Sequence, residues 1–468
     1  MNNTIKFFKK ICKIPRPSGS EEKIRDYLVN FAKTRNLDYY TDNSFNVVIK
    51  KPSSTPKKKD KSIILQAHTD MVCEKILGKE INFLTDPIDI IEENDFIKAN
   101  GTTLGADNGI GLSMILSLLD STNPNFPNLE CVFTTQEETT MQGAKNLDCS
   151  FLKSKHLLSL DGTDEGNIEC SCAGMIVLNA SKVFNLEDLQ QNNKIYKVKL
   201  TGFMGGHSGT EINSTKQNAI IHLFKFLKNI PDVKLINIEG GGKSNAIPRD
   251  IFAVFSCNSN IKCLIEQANI FAQKLANFEP NTKLEVSEES FKNYQKSLNK
   301  LQSKTIIDFI SSYKNGVLFY SELEKNFPIT SNNFANIVLE NGKLNIVVSL
   351  RSSSKEKEKY YLNEIMENAK NFGIKFEIVS TAPFFERKEN SYLQKLCVNE
   401  YFKLFNKKAV VKDVHAGLEG GVFAKKIPDI DICVIAPNLY NIHSPDEKVS
   451  VSSVNRVYSW VEKILESF

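Results

Sequence analysis

The sequence is poor in several features, and each shortage argues against a class of protein. No apolar run approaches the length needed to cross a bilayer, so we expect no membrane partner. Near the N-terminus, Lys6, Lys9 and Lys10 interrupt any apolar stretch of the kind that an export signal needs. The net charge of +4 is small for 468 residues, which argues against a nucleic-acid partner. We therefore predict a cytoplasmic protein.

Histidine is also scarce, with six in the chain, and two of the six flank a series of acidic residues. Imidazole and carboxylate together suit zinc or a similar divalent ion. Because the candidates approach both ends of the sequence, the fold must assemble them. We predict a dinuclear metal site with these ligand candidates: His68, Asp107, Glu138, Asp161 and His443.

Short apolar strands alternate with helical patterns in the first and last parts of the chain. Ser18 and Glu21 are spaced like a capping box before one helix, and another helix is predicted after Gly109. In open α/β sheets, ligands bind at the carboxyl ends of the strands. A candidate ligand follows each of four predicted strands: residues 62–66, 130–133, 156–160 and 430–435. This arrangement predicts an α/β catalytic domain with a mostly parallel sheet flanked by helices.

In the middle of the chain, the order of predicted strands and helices differs from that at the two ends. A length of 468 residues favours two domains. The pattern predicts a mostly antiparallel α+β insert with two similar halves, in which Asn341-Gly342 makes a type I′ hairpin turn. We place this insert at residues 186–382. The catalytic domain would then consist of residues 1–185 and 383–468.

Charge balance and spacing predict a role for each residue of the constellation. Two divalent ions about 3.5–4 Å apart need a bridging ligand. Asp107 is the natural bridge, since Gly105 and Gly109 allow the backbone to turn closely beneath it. We expect His68 and Asp161 to complete the site of one ion. We expect Glu138 and His443 to complete the site of the other.

Two further acidic residues are expected to assist the metals without binding them. Asp70 lies two residues after His68 and is placed to hold the second nitrogen of the imidazole. Glu137 stands beside a ligand, where its carboxylate can take a proton from activated water and pass it to a leaving amine. Taken singly, a Glu-Glu pair is usually solvated and a His-x-Asp is usually a local hydrogen bond. Together, at strand ends, they predict catalysis.

These residues resemble the co-catalytic zinc metallopeptidases, a family that includes carnosinase, peptidase T and carboxypeptidase G. Longer strings are similar to its aminoacyl-histidine dipeptidase (peptidase D) branch from about residue 15 to the C-terminus. The strings are GTTLGADNGIG (101–111), GGHSG (205–209), GKSNAIPR (242–249), HAGLE (415–419) and HSPDE (443–447).

The resemblance implies further features. It implies a cis peptide bond between Asp107 and Asn108, and a lid domain that mediates homodimerisation. His207 would help to polarise the scissile carbonyl, from the same or the neighbouring subunit, and Arg351 would pair with the substrate's α-carboxylate. The remaining candidates would line the substrate pocket: Asn245, Ser331, Asn333, His415 and Glu419. His415 and Glu419 could instead serve only in packing.

The chain departs from the family pattern at three positions that do not include a ligand or the base. Ala67 and Gly162 replace a common glycine and a common serine, and Gly420 replaces a cysteine. These departures bear on substrate preference rather than on activity.

The favoured function is a dipeptidase that hydrolyses unblocked dipeptides, including Xaa-His types such as β-alanyl-histidine. The predicted cofactors are two divalent ions, with zinc favoured over manganese or cobalt. A tripeptide aminopeptidase or an N-acyl amino acid amidohydrolase on the same metal core is the first alternative. A non-catalytic metal-binding scaffold protein is the second.

Overall fold

A computed structural model describes residues 2–322 and 324–468 of the chain. The chain divides into two compact units. The first unit comprises Met1–Cys172, Phe385–Val414 and Leu418–Phe468, and the second comprises Ala173–Phe384 and His415–Gly417. Within the described ranges, every helix is too short or too polar to cross a lipid bilayer.

The N-terminal part of the first unit contains eight strands and four helices. The strands are β1 (Asp38–Thr41), β2 (Val47–Lys51), β3 (Ser62–His68), β4 (Ile90–Glu93), β5 (Phe96–Ala99), β6 (Asn128–Thr134), β7 (His156–Ser159) and β8 (Asn167–Cys172). The helices are α1 (Thr4–Ile11), α2 (Glu22–Lys33), α3 (Ala106–Leu119) and α4 (Gln142–Asn146).

The second unit follows directly and is richer in strands. Its strands are β9 (Gly174–Val183), β10 (Glu187–Asp188), β11 (Ile195–Thr201), β12 (Gly206–His207), β13 (Lys234–Gly241), β14 (Ala246–Ile247), β15 (Ile251–Ser256), β16 (Lys283–Glu289), β17 (Lys296–Ser297), β18 (Gly316–Tyr320), β19 (Pro328–Glu340), β20 (Lys343–Ser352) and β21 (Glu377–Ala382). Its helices are α5 (Ala219–Leu227), α6 (Ile261–Leu275), α7 (Lys300–Ser311) and α8 (Lys355–Asn371).

The C-terminal part of the chain completes the first unit. Its helices are α9 (Tyr392–Phe405), α10 (Glu419–Lys426) and α11 (Val451–Ser467), and its strands are β22 (Val410–Val414), β23 (Asp431–Val434), β24 (Leu439–Tyr440) and β25 (Lys448–Ser450).

An eight-stranded sheet in the order β1-β2-β6-β3-β7-β23-β8-β22 forms the centre of the first unit. Four of its seven neighbouring pairs are parallel, and β6, β3, β7 and β23 form one uninterrupted parallel block. The side chains of Ile63, Ile64 and Leu65 are all fully buried, as expected for a strand covered by helices on both faces. The carboxyl ends of the parallel block meet at one edge, which confirms the predicted α/β sheet.

An antiparallel sheet in the order β16-β11-β15-β13-β19-β20-β9-β21, with β18 beside β19, forms the second unit. The order is mirrored about the β13–β19 pair. One half reads β11-α5-β13-β15-α6-β16 along the chain, and the other reads β9-α7-β19-β20-α8-β21. This correspondence supports the predicted repeat. At the predicted hairpin turn, Asn341 and Gly342 have φ of 50° and 77°, as a type I′ turn requires.

The boundary between the two units differs from the predicted one. The sequence placed the insert at residues 186–382, whereas β9 pairs with β20 and β21 and so lies in the second unit's sheet. Only Ala173 separates β8 from β9, so no glycine- or proline-rich linker marks the change of unit. His415–Gly417 also group with the second unit, inside a segment that was assigned to the catalytic domain.

The predicted capping box of Ser18 and Glu21 is wrong. Helix α2 begins at Glu22, and no side-chain hydrogen bond caps its start. The Ser18 hydroxyl instead donates to Asp70 Oδ2 at 2.7 Å, and the Glu21 carboxylate accepts from the backbone N–H of Gln136 at 3.1 Å. Both side chains are engaged by the loops that carry the candidate site, and so neither is available to the helix.

Candidate active site

The parallel block of the first unit delivers most of the candidate ligands to its carboxyl edge. His68 is the last residue of β3, Glu138 follows β6, and Asp161 follows β7. His443 lies in the loop between β24 and β25, and Asp107 lies in the first turn of α3. The peptide bond after Asp107 is cis, as the resemblance implied.

The two carboxylate oxygens of Asp107 face different histidines. Oδ1 lies 3.2 Å from His68 Nε2, and Oδ2 lies 3.2 Å from His443 Nε2. His68 Nε2 is also 3.4 Å from an oxygen of Asp161, while His443 Nε2 is 3.0 Å from an oxygen of Glu138. The five residues therefore form two groups of one histidine and one carboxylate, and Asp107 joins the groups.

The donor set fits a divalent cation. One ligand atom from each of His68, Asp107 and Glu138 lies within 4.8 Å of the others. Three carboxylates concentrated in a largely buried region need positive charge nearby. With the chain's own groups alone, hydrogen bonds to Asp107 and Glu138 raise the pKa of His443 to about 10. The imidazolium proton is then the positive charge that a bound cation would replace.

Burial shapes the acidity of the carboxylates in this cluster. Burial, together with the negative charges of Asp107 and Glu138 and against the charge of His68, raises the pKa of Asp161 to about 6. Burial likewise raises the pKa of Glu137 well above its usual range, with the charge of Asp161 adding to the effect. A carboxylate whose pKa lies near the working pH can both accept and donate a proton.

Asp70 contacts both histidine and backbone groups of the cluster. Its Oδ1 lies 3.3 Å from His68 Nδ1 and accepts from the Glu137 N–H at 3.0 Å. Its Oδ2 accepts from the Ser18 hydroxyl at 2.7 Å and from the Glu138 N–H at 3.2 Å. This buried carboxylate thus lies beside the His68 ring and fixes the Glu137–Glu138 backbone.

Comparison with known proteins identifies the family of the chain. The sequence profile of Peptidase family M20/M25/M40 matches residues 64–467. The chain belongs to this peptidase family. It is 33% identical over 467 residues to the cytosol non-specific dipeptidase of Escherichia coli (strain K12), a match that covers 98% of this chain and 96% of the relative. The resemblance predicted from the motifs is confirmed, and the chain is a peptide hydrolase.

Solved structures agree with this assignment. The crystal structure of aminoacylhistidine dipeptidase from Vibrio alginolyticus superposes with a TM-score of 0.90 at 29% identity and covers 99% of this chain and 96% of that one. Aminopeptidase PepT from Bacillus cereus ATCC 10987 shares the fold, with a TM-score of 0.57 at 14% identity over 99% of this chain and 97% of that one.

In the second unit of the peptidase, hydrogen bonds define the protonation of His207. Its Nδ1 accepts from the backbone N–H groups of Gly209 and Thr210, both at 3.2 Å. Burial and the charge of Arg351 lower the pKa of His207. A neutral imidazole whose Nδ1 accepts must carry its proton on Nε2, and it therefore presents Nε2–H as a donor.

Arg351 and His415 belong to one polar cluster of the same unit. Arg351 on β20 is opposite Ser331 on β19, and the Ser331 hydroxyl lies 2.7 Å from His415 Nε2. Arg351 is only 5% exposed, and its Nε makes no hydrogen bond within the described residues. His415 Nδ1 is likewise unpaired there. A buried guanidinium with spare donors is suited to an anion such as a carboxylate.

The two asparagines among the pocket candidates differ. The Asn333 side-chain amide donates to the carbonyl of Ala246 at 2.8 Å, which ties β19 to β14. Asn245 is exposed, and its carbonyl accepts from the Ser208 N–H at 2.8 Å, beside His207. Asn333 is therefore engaged in structure, whereas the Asn245 side chain faces solvent within its own unit.

Glu419 lies in the first unit, apart from the unit that contains His415. One oxygen of its buried carboxylate accepts from Gln66 Nε2 at 2.7 Å and from the Thr134 hydroxyl. The other oxygen is buried without a hydrogen bond in the described chain. Burial raises the pKa of Glu419 to about 8.

The glycine that replaces a cysteine at position 420 has a structural explanation. A Cβ at Gly420 would lie 2.7 Å from the ring of Phe385. The ring therefore occupies the space that a side chain would need. At Gly162, the nearest atom to a Cβ would be the Cβ of Ala436, at 3.3 Å.

Sequence patterns missed several residues that organise the site. The Asn108 side chain donates to Asp161 Oδ1 at 2.7 Å and accepts from the Gly111 N–H at 3.1 Å. Arg16 and Glu447 are buried and bond to the ligand-bearing loops. Glu447 lies in the HSPDE string and Asn108 lies in the GTTLGADNGIG string. The motifs therefore contained both residues, but the sequence analysis assigned no role to either side chain.

Proposed function

We propose that this peptidase is a dinuclear-metal dipeptidase that hydrolyses unblocked dipeptides, Xaa-His types among them. The observation that carries the proposal is the sharing of Asp107 between two histidine–carboxylate groups. The names of two similar proteins support the substrate class, since both are dipeptidases.

The proposed ligands are His68 and Asp161 for one ion, Glu138 and His443 for the other, and Asp107 for both. Imidazole and carboxylate favour zinc, although manganese and cobalt accept similar ligands. When bound, the two ions supply Lewis acidity for the peptide carbonyl and for water.

Glu137 is the proposed general base. Its carboxylate accepts a proton as water adds to the scissile carbonyl, and the resulting carboxylic acid donates that proton to the leaving amine. The N–H bonds of Glu137 and Glu138 to Asp70 hold this segment in place while the proton moves. Asp70 also keeps the His68 ring oriented.

Residues of the second unit are proposed to bind the substrate. Arg351 pairs with the α-carboxylate of the dipeptide, and His207 donates its Nε2–H to the scissile carbonyl. The neutral state of His207 supports this role, because only a protonated nitrogen can donate. The remaining proposed pocket residues are Asn245, Ser331, Asn333, His415 and Glu419.

A cytoplasmic location and a homodimer formed through the second unit also remain proposals. The name of the Escherichia coli relative supports the first. An edge strand supports the second: β21 pairs with β9 on one side, and its Ile378 and Val379 are 48% and 58% exposed. Light scattering of the purified protein, compared with an Ile378→Lys variant, measures the oligomeric state.

The decisive experiment combines metal analysis with a substrate panel. We expect protein loaded with Zn²⁺, Mn²⁺ or Co²⁺ to hydrolyse β-alanyl-histidine and other free dipeptides, and to leave tripeptides and N-acetylated amino acids intact. Glu137→Ala should retain the metal and lose hydrolysis. Hydrolysis by Glu137→Ala at the wild-type rate, or intact dipeptides after incubation with metal-loaded protein, would contradict the proposal.

A further inference from the structure

Glu447 makes an unusual set of hydrogen bonds beside the candidate metal site. Its side chain is 2% exposed. Oε2 accepts from the backbone N–H groups of Leu104 at 2.7 Å and Gly105 at 2.9 Å. Oε1 accepts from the N–H groups of Ala106 at 2.8 Å and Asp107 at 3.2 Å. One carboxylate thus binds four consecutive N–H groups of the segment that ends at the proposed bridging ligand.

The same residue belongs to the loop that carries another proposed ligand. Glu447 lies four residues after His443, and its own N–H donates to the carbonyl of Ser444 at 3.1 Å. The loop of His443 and the turn of Asp107 are therefore joined by one buried side chain. Their separation along the chain exceeds 300 residues, so no local backbone geometry could set the distance between them.

Arg16 makes a corresponding connection on the other side of Asp107. Its Nη1 donates to the carbonyls of Thr69 and Asp70, both at 2.9 Å, directly after His68. Its Nη2 donates to the carbonyl of Gly105 at 2.5 Å. Arg16 is 1% exposed, so its guanidinium is shielded from solvent, and its Nε makes no hydrogen bond within the described residues. The guanidinium thereby joins the loop after β3 to the turn before Asp107.

The two glycines that flank Asp107 make room for this guanidinium. A Cβ at Gly105 would lie 2.5 Å from Arg16 Nη2, and a Cβ at Gly109 would lie 2.6 Å from the same atom. Any side chain at either position would collide with Arg16. The glycines of the motif therefore serve the packing of Arg16 as well as the turn of the backbone.

We propose that Arg16 and Glu447 are positioning residues that together set the spacing of the three segments carrying His68, Asp107 and His443. The inference rests on the proposed metal site. A buried charge that loses its hydrogen bonds is costly, so each loop is held where Arg16 or Glu447 remains bonded. The ligand atoms are then close to their binding positions before any ion arrives, and the affinity for metal is correspondingly higher.

Metal affinity separates this role from a purely structural one. Glu447→Gln keeps the size of the side chain but turns an amide NH₂ toward two of the four N–H donors. We expect the dissociation constant for Zn²⁺, measured by competition with a chromophoric chelator, to rise about 10- to 100-fold. The absorption spectrum of the Co²⁺-loaded variant should also differ from that of wild type, because the ligand geometry changes.

The matched control is Glu130→Gln in the same unit. Glu130 is also buried, and its carboxylate accepts from the backbone N–H groups of Lys153 and Ser154 at 3.0 Å. It lies on β6 and contacts none of the ligand-bearing loops through these bonds. We expect Glu130→Gln to lower the melting temperature while the Zn²⁺ affinity and the Co²⁺ spectrum stay as in wild type. Equal metal affinities for Glu447→Gln, Glu130→Gln and wild type would overturn the inference.

Variants of Arg16 test the other connection. Arg16→Lys keeps the charge and some of the donors, whereas Arg16→Met keeps only the bulk. We expect Zn²⁺ affinity to fall in the order wild type, Arg16→Lys, Arg16→Met. Wild-type affinity in both variants would contradict a positioning role for this residue.

Hydrogen exchange on the unmodified chain gives a test that does not depend on a variant folding. If Glu447 already holds the turn, the amides of residues 104–107 should exchange slowly in metal-depleted protein and in Zn²⁺-loaded protein alike. Rapid exchange that becomes slow only after Zn²⁺ is added would overturn the inference. Failure of the proposed function looks different, because wild-type protein would then bind no divalent ion or cleave no dipeptide.

Discussion

Asp70→Asn should weaken both metal binding and catalysis, and the structure allows the size of the effect to be estimated. Four donors face the two oxygens of Asp70: the His68 ring, the Ser18 hydroxyl, and the N–H groups of Glu137 and Glu138. An asparagine can keep its oxygen toward His68 and Glu137, and the Ser18 hydroxyl can rotate to accept from the new NH₂. The Glu138 N–H is then left facing a donor, and His68 loses its charged partner.

The loss of one hydrogen bond to a charged group costs about 1.5–3 kcal/mol. Since about 1.4 kcal/mol corresponds to a factor of ten, we expect kcat/KM and Zn²⁺ affinity each to fall about 10- to 100-fold. The assays are β-alanyl-histidine hydrolysis at saturating Zn²⁺ and competition with a chromophoric chelator.

A second buried aspartate of the first unit provides the control. Asp431, at the start of β23, accepts from the Ser391 hydroxyl at 2.6 Å and from the Leu393 N–H at 2.9 Å. Its partners lie at the amino end of the strand, away from the candidate ligands. Asp431→Asn should therefore destabilise the fold without changing Zn²⁺ affinity. If Asp70→Asn left both kcat/KM and affinity within twofold of wild type, the reasoning about Asp70 would be refuted.

Four other outcomes are expected. Glu137→Gln should lower kcat by about 10²- to 10⁴-fold with bound metal unchanged, as measured by steady-state kinetics and metal analysis. Arg351→Lys should raise KM for dipeptides about 10- to 100-fold with a smaller change in kcat, because the lysine cannot bind a carboxylate through two N–H groups. Burial, followed by the charges of Arg351 and His207, lowers the pKa of His415 to about 3, whereas an unfolded histidine has a pKa of about 6.5. The unfolded chain therefore binds the proton at a higher pH than the folded chain does. As a result, the free energy of unfolding should fall as the pH falls from 6.5 toward 3, by about 2 kcal/mol at pH 5. Urea unfolding at pH 7 and pH 5 should show a smaller fall in this free energy for His415→Gln than for wild type. Chelation of the metals should abolish hydrolysis and lower the melting temperature, consistent with a loss of about 2.7 kcal/mol for protein previously held at 100 times its Kd.

Strand order explains why the candidate ligands could be predicted from the sequence. Each strand of the parallel block is short and largely apolar, so its apolar run identifies it without tertiary information. Parallel pairing then brings their carboxyl ends to one edge regardless of the length of the connections. His68, Glu138 and Asp161 needed only this rule, because each lies within four residues of a strand end.

The boundary of the second unit and the role of Ser18 could not be predicted in this way. Only one residue separates β8 from β9, and no turn-forming sequence marks the change of sheet. The sheet to which β9 belongs is therefore decided by the strands with which it pairs. Ser18 matches a helix cap by spacing, but Asp70 offers its hydroxyl a buried, charged acceptor. A hydrogen bond to a buried carboxylate outweighs a cap that is worth about 1 kcal/mol.

Arg16 and Glu447 show why the organisation around a site is harder to read than its ligands. A ligand type is constrained by the chemistry of the ion, so histidine and aspartate stand out in a chain with six histidines. Arg16 and Glu447 act on backbone carbonyls and N–H groups, which every segment of every protein possesses. No residue pattern identifies such a partner in advance. The sequence does show glycine at positions 105 and 109, where Arg16 leaves no room for a side chain. Only the folded chain shows that the guanidinium of Arg16 fills that space.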